Sequence, residues 1–380
     1  MIVKQMDVAA HYRRDKDEID AAIGSVLASG QLVMGPDVKL FEDEFARYCG
    51  VRFAAGVTSG TSALLLALRA LGIGPGDEVI TVANSDIPTS HAITLTGARV
   101  VWVDVEPDTG NIDVGRIEDA ITATTKAIVP VHLYGVPADL DPILEIAERR
   151  GLWVVEDACL APGARYGQRR VGGFGTMAAF STASGKPLGG IGSGGVITTD
   201  DPDLFERVNQ LRNYGRQRPL YRTYSSTDPK PASRTVAIGY NERLYTVDAA
   251  VLRIRLRRLE DDRERRRQVA ALYERLLADS GVRLPRPPAT TQPTWYVYTI
   301  RVPQERRDHV YETLIRQEIE VARHYLPANH LDDCYRYLGY AVGSLPETEA
   351  MCDELLSLPC HQYMSDDEVE HVAAAVAALA

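Results

Sequence analysis

One lysine in a glycine-rich loop is the residue in this sequence best placed for chemistry. It is Lys186, within AFSTASGKPLGGIGSGGVITTD at residues 179–200. An amine that is to be nucleophilic near neutral pH must be desolvated or set beside other positive charge, and a glycine loop between apolar runs offers such a place. Upstream, the strand-like run VVEDAC ends in Glu156 and Asp157, at the carboxyl end where open α/β sheets present ligand-binding groups. A lysine for a Schiff base and an acid for a pyridinium nitrogen are the protein parts that pyridoxal phosphate (PLP) requires. Two phosphate-binding motifs are excluded. A Walker A loop fails because Phe180 stands at its first glycine and Pro187 at its hydroxyl. Gly190, Gly192 and Gly195 spell G-x-G-x-x-G, yet they run into strand-like VITT instead of opening a helix.

The elements that must position these residues alternate. A small-residue strand over 54–57 enters Ser59-Gly60-Thr61-Ser62 and then an apolar helix, ALLLALRAL. Such a turn aims backbone N–H groups and a positive dipole end at an anion, or else is a plain helix cap. From Glu78 the runs EVITVA, VVWVDV, AIVPVHLYG and LWVVEDAC read as strands. Helical SHAITLTGA, residues 116–123 and LDPILEIAERRG lie between them, predicting right-handed crossovers and a mostly parallel sheet covered on both faces. His132 falls near a strand end. Helices are expected over 15–29, over a segment closing at Gly50, over 202–215 and over 245–280, with a long functional loop over 216–234. The arginine-rich run after Tyr245 alternates in sign and reads as a solvated helix face. Prolines 285, 287 and 288 mark a break before a smaller α+β unit with helices over 308–317 and 366–379. The domain division expected is a cofactor-binding domain over 1–245, with an N-terminal helical segment, and a small domain over 246–380.

The 380 residues are 45% hydrophobic, enough for a sizeable core, and the net charge of −10 disfavours a nucleic-acid partner. Cys49, Cys159, Cys334, Cys352 and Cys360 are odd in number and show no C-x-x-C spacing, so neither a disulfide framework nor a metal site is expected. The amino-terminal stretch lacks an apolar h-region and no run reaches eighteen apolar residues. The expectation is a cytoplasmic protein that neither spans a membrane nor is exported.

Several ordered landmarks across the whole chain resemble the DegT/DnrJ/EryC1/StrS family of fold type I PLP-dependent aminotransferases. They are SGTSALLLALRALGIGPGDEVI, VPVHLYGVPADLDPI, VVEDACLAPGARYGQRRVGGFG, FSTASGKPLGGIGSGGVITTDD, GYNERLYTVDAAVLRIRLRRL, ARHYLPANHL and LLSLPCH. The resemblance implies an α/β fold with PLP held by Lys186, which also shuttles the proton once displaced, and with Asp157 on the pyridinium nitrogen. It implies a phosphate cradle of Gly60, Thr61, Ser62 and Ser181, completed by Asn241 or Arg243 of a second copy, hence a homodimer with shared sites. It also implies transfer from glutamate or glutamine to a keto sugar, nucleotide-linked keto sugar or keto cyclitol in specialised-metabolite or surface-sugar biosynthesis.

The chain departs from the family pattern at three positions. Asp86 stands where an aromatic ring usually covers the cofactor, Leu160 where a glutamine is expected near the phenolic oxygen, and Pro162 where a histidine is expected. Asp86 is therefore expected both beside the cofactor and at the substrate, unless it caps a helix beginning near Ser90. His324, Tyr325 and His330 are the further substrate-binding candidates. Elimination, dehydration or oxidative deamination on PLP is the alternative outcome that Asp86 leaves open.

Overall fold

A computed structural model describes residues 2–217 and 234–379. Most of the expected functional loop, residues 218–233, lies outside the described residues. The chain opens with two helices, α1 (Val8–Ser29) and α2 (Pro36–Cys49). The first starts earlier than its periodicity predicts and kinks at Asp15, whose buried carboxylate pairs with Arg14 and Arg258. An alternating run follows: β1 (Phe53–Val57), α3 (Gly60–Ala70), β2 (Glu78–Val82), α4 (Pro88–Leu95), β3 (Arg99–Val103), α5 (Ile117–Ala120), β4 (Thr125–Ile128), α6 (Leu140–Arg150) and β5 (Trp153–Asp157). The α5 helix is shorter than expected. Hydroxyls of Thr122 and Thr125 bond to nearby backbone N–H groups there and draw the chain out of the helix.

After a short ribbon, β6 (Arg165–Tyr166) with β7 (Arg169–Arg170), come β8 (Met177–Ser181), β9 (Gly195–Thr199) and α7 (Pro202–Leu211). The central sheet has the order β1-β9-β8-β5-β4-β2-β3. It is parallel except at β9, which pairs antiparallel with both β1 and β8. The reason is local: residues 182–194 contain no helix to carry a parallel crossover, so the chain returns beside the strand it left. Alternate strand residues feed two cores. Ala55, Val57, Val155, Met177, Ala179 and Ile197 pack with α3, while Ala54, Ala178, Phe180 and Val196 face the opposite side. The α3 helix is apolar nearly all round and buried accordingly.

The short pair β10 (Arg216–Gln217) and β11 (Arg234–Thr235) precedes α8 (Thr246–Leu256) and α9 (Leu259–Leu277). These last two replace the single long helix expected from sequence. The break at Arg257–Arg258 lets α8 lie against α1 and α2 while α9 turns away. Next, β12 (Thr291–Gln292) joins the ribbon antiparallel to β6, and a second layer follows, containing β13 (Tyr298–Arg301), α10 (Gln304–Arg316), α11 (Pro346–Glu354), β14 (Leu355–Leu358) and α12 (Asp366–Ala377). There β13 and β14 pair antiparallel over a core shared with α9, α10 and α12. Among the described residues no helix is long and apolar enough to cross a membrane.

Candidate active site

Four strand ends converge on one cavity of about 240 Å³. The end of β5 supplies Asp157, Cys159 and Leu160; β8 supplies Ser181, Ala183 and Lys186; β1 leads into Ser59, Gly60 and Thr61; β2 leads into Ser85, Asp86 and Thr89. Ser193 and Gly194 close the wall from the loop before β9. The geometry is that of a ligand site at the carboxyl edge of an open α/β sheet.

Asp157 is buried, and both its oxygens are fixed. Thr89 Oγ1 donates to Oδ2 at 2.7 Å and the Cys159 N–H donates to Oδ1 at 3.1 Å. Behind it, Glu156 is fully buried and accepts from the N–H groups of Gly172, Phe174 and Gly175 and from His132 Nε2. Burial pushes the Glu156 carboxyl up, but the hydrogen bonds from His132 and from the two glycine N–H groups outweigh it and hold the group below its ordinary value. His132 Nδ1 accepts from the Ala138 N–H at 3.0 Å, so the ring proton sits on Nε2 and points at Glu156. Adjacent acids on one strand thus do different work: Glu156 braces the scaffold and Asp157 faces the cavity.

Lys186 Nζ lies 4.7 Å from the centre of the Tyr296 ring, a contact the sequence did not reveal. Tyr296 is held by its own N–H on Tyr134 O at 2.9 Å and by the buried Arg266 on the carbonyls of Trp295 and Tyr296. A favourable charge–ring contact of this kind is worth about 0.5–1 kcal/mol when exposed and more when desolvated. Nearby, His324 Nδ1 is 2.9 Å from Ser357 Oγ, and burial together with the Lys186 charge pushes this histidine down to about 4. Tyr325 is raised well above the usual phenol range by burial, with Tyr296, Asp86, Tyr134 and Asp157 adding to it. These two residues stand beside the cavity. His330 does not: its ring is buried against Trp102 and Tyr340, with Nε2 3.0 Å from Glu349 Oε1.

The proposed cradle divides in the same way. Ser59 caps α3 by accepting from the Ser62 N–H, leaving the Gly60 and Thr61 turn on the cavity wall. The Ser62 hydroxyl is engaged elsewhere, donating to Glu242 Oε2 at 2.7 Å. Gly60 is required by close packing, since a Cβ there would stand 2.8 Å from Cys159 Sγ and 2.9 Å from Ser181 Cβ. Asn241 and Arg243, bonded to each other, lie outside the cavity of their own chain. Asp86 is exposed at the cavity, and its side chain caps nothing: α4 begins at Pro88 with Ile87 as its cap residue and no side-chain cap bond. The G-x-G-x-x-G run opens no helix, and its Gly195 begins β9 at a position where glycine is needed, since a Cβ would stand 2.2 Å from Ser59 O.

The model of the DegT/DnrJ/EryC1/StrS aminotransferase family matches residues 13–377. The chain belongs to that family. It is 43% identical over 98% of its length to the dTDP-3-amino-3,4,6-trideoxy-alpha-D-glucose transaminase of Streptomyces venezuelae, 94% of which is covered. Among solved structures, DesV of S. venezuelae in complex with a ketimine intermediate superposes with a TM-score of 0.92 at 42% identity, covering 99% of this chain and 98% of that one. NtdA from Bacillus subtilis with bound cofactor PMP gives 0.88 at 28% identity, covering 99% and 85%. This protein is therefore an aminotransferase of the fold type I class, and its cofactor is pyridoxal 5′-phosphate.

The residues present fit that cofactor. The aminotransferase has one amine on the cavity, one buried carboxylate with both oxygens oriented, and the amino terminus of a long apolar helix between them. Lys186, Asp157, Ser181 and the Gly60–Thr61 turn all line this one cavity. Thr89, Ser193 and Tyr296 complete the surroundings. Ser193 lies in the lysine loop itself, while Thr89 and Tyr296 lie in no motif and reach the site only through folding.

Proposed function

We propose that the chain transfers the amino group of glutamate or glutamine to the ketone of a nucleotide-linked sugar, the keto-sugar and keto-cyclitol class being the wider bound. The observation that carries this reading is the convergence of Lys186, Asp157 and the α3 amino terminus on one cavity with the exposed Asp86 on its wall. The S. venezuelae relative named as a dTDP-amino-sugar transaminase supports the substrate class. When bound, PLP supplies an electron sink for the carbon that gives up its proton. The chain's own residues do the rest. Lys186 Nζ would carry the proton from the carbon that loses it to the carbon that gains it, Asp157 would balance the charge on the ring nitrogen, and the Gly60–Thr61 N–H groups with Ser181 would anchor the phosphate.

Asp86 gives the pocket its selectivity in this reading. The exposed carboxylate accepts from water, and a substrate hydroxyl or amine entering the cavity takes the place of that water. Asp86→Phe is expected to keep the cofactor but to lower kcat/KM for the sugar about ten- to hundredfold, the size of one lost charge-assisted hydrogen bond. Kinetics with the acceptor varied at saturating donor check this; unchanged constants would remove Asp86 from the substrate site.

The working unit in this reading is a cytoplasmic homodimer in which Asn241 and Arg243 of one copy complete the cradle of the other. Its supports are the placement of both residues outside their own cavity and the exposed apolar side chains of Ile238 and Tyr245 that flank them. The five free cysteines, three of them buried, accord with a reducing compartment. Dilution is expected to lower specific activity in step with the dimer fraction seen by sedimentation. A monomer with full specific activity would contradict the shared site.

A further inference from the structure

A carboxylate that the amino-transfer reading does not use lies beneath the lysine loop. Residues 182–194 close on themselves: the Thr182 N–H donates to Gly194 O at 2.8 Å, the Gly190 N–H to Thr182 O at 2.7 Å, and the Ser184 N–H to Gly192 O at 3.0 Å. Two residues on one face of α8 hold the arm that follows Lys186. Asp248 Oδ1 accepts the Ile191 N–H at 2.8 Å, and Arg255 Nη1 donates to the carbonyls of Gly189 and Gly190. The approach leaves no room for side chains. A Cβ on Gly190 would stand 2.2 Å from Asp248 Oδ1, and one on Gly194 would stand 2.9 Å from Asp248 Oδ2 and 2.3 Å from Thr182 Oγ1.

A carboxylic acid here is costly. Asp248 is 4% exposed, and its Oδ2, like Thr182 Oγ1, is buried with no hydrogen-bond partner among the described residues. Holding the Ile191 N–H needs only one neutral acceptor, which an asparagine or glutamine would supply without burying an ionisable group. We propose that Asp248 is a positioning residue for Lys186, whose carboxyl anchors the glycine arm and so sets the placement of Lys186, Ser193 and Gly194 on the cavity in a proton-dependent way. The proposal rests on Lys186 being the reactive amine.

The charge balance around the carboxyl makes the direction of the effect definite. Burial raises Asp248 to about 6, against the pull of the Ile191 N–H and of Arg255. Among the described residues Arg255, on the same helix, is the one charged group acting on it, and the loop above presents only the Ile191 amide and the Thr182 hydroxyl. Because the folded value lies above the ordinary 3.8, the stability this group contributes is complete below 3.8 and is lost as pH rises through about 6. The ionised form is the stronger acceptor for the Ile191 N–H. The fold thus gives up stability between pH 3.8 and about 6, over the same range in which the anchor on the lysine loop tightens.

Asp248→Asn keeps the shape and one acceptor oxygen but removes the titration. In cofactor-free protein, the rate at which an amine-acylating reagent modifies Lys186, read by peptide mass spectrometry, is expected to show an inflection near pH 6 in the wild type that D248N lacks. Melting temperatures of the two proteins should diverge as pH rises from 4.5 to 8.5, with D248N higher by a few degrees at the alkaline end. Asp248→Ala, which removes the acceptor, should lower kcat about tenfold with donor KM unchanged, and D248N should restore it. Parallel melting curves, or the same labelling inflection in both proteins, would overturn the proposal. If D248A does not fold, the near-isosteric D248N decides alone. Failure of amino transfer with the labelling and melting results as expected would count against the functional reading and not against this one.

Discussion

Lys186→Ala is expected to abolish covalent capture of PLP and to lower turnover by about 10⁴-fold or more, since both the nucleophile and the proton carrier are lost. The fold should survive. The loop is held by backbone bonds among Thr182, Ser184, Gly190, Gly192 and Gly194 and by Asp248 and Arg255, none of which involves the lysine side chain. What the variant gives up structurally is the contact with Tyr296, about 1 kcal/mol. Borohydride reduction followed by peptide mass spectrometry checks the point. Trapped cofactor on the variant would place the reactive amine elsewhere.

Asp157→Asn should separate binding from chemistry. The asparagine keeps an acceptor for Thr89 or for the Cys159 N–H, so the pocket wall stays in place. An amide cannot balance a protonated ring nitrogen, and kcat is expected to fall by about 10²- to 10³-fold, the effect of removing a preorganised electrostatic partner from an enclosed site. Cofactor binding by equilibrium dialysis should change far less than kcat. Near-normal turnover would assign the ring nitrogen another partner.

Much of this site was legible in the sequence because its chief parts sit at strand ends and in one glycine loop. Lys186, Asp157 and the Gly60–Thr61 turn follow from that pattern and come together on the cavity. What the pattern could not give is partnership between distant segments. The Ser62 hydroxyl looks free beside Thr61 until Glu242 is found bonded to it, and His330 looks like a ligand group until Glu349 and Trp102 enclose it. Thr89, Tyr296 and Asp248 carry no local signal, for each acts across the fold on a group far away in the chain. The antiparallel β9 was hidden for a related reason: apolar runs reveal strands but not their direction, which here depends on a connection too short for a crossover. The long helix expected over 245–280 failed at Arg257–Arg258, where two packing partners in different layers outweigh continuous helix propensity.

The decisive measurement is the absorbance spectrum of the purified protein reconstituted with PLP, recorded before and after glutamate or glutamine and again after a nucleotide-linked keto sugar. The absorbance of lysine-bound cofactor should give way to that of its aminated form on adding the donor, and should return on adding the sugar, with one amino sugar formed per cycle. Release of ammonia without the aminated form, or a spectrum that no amino donor alters, would contradict amino transfer at Lys186.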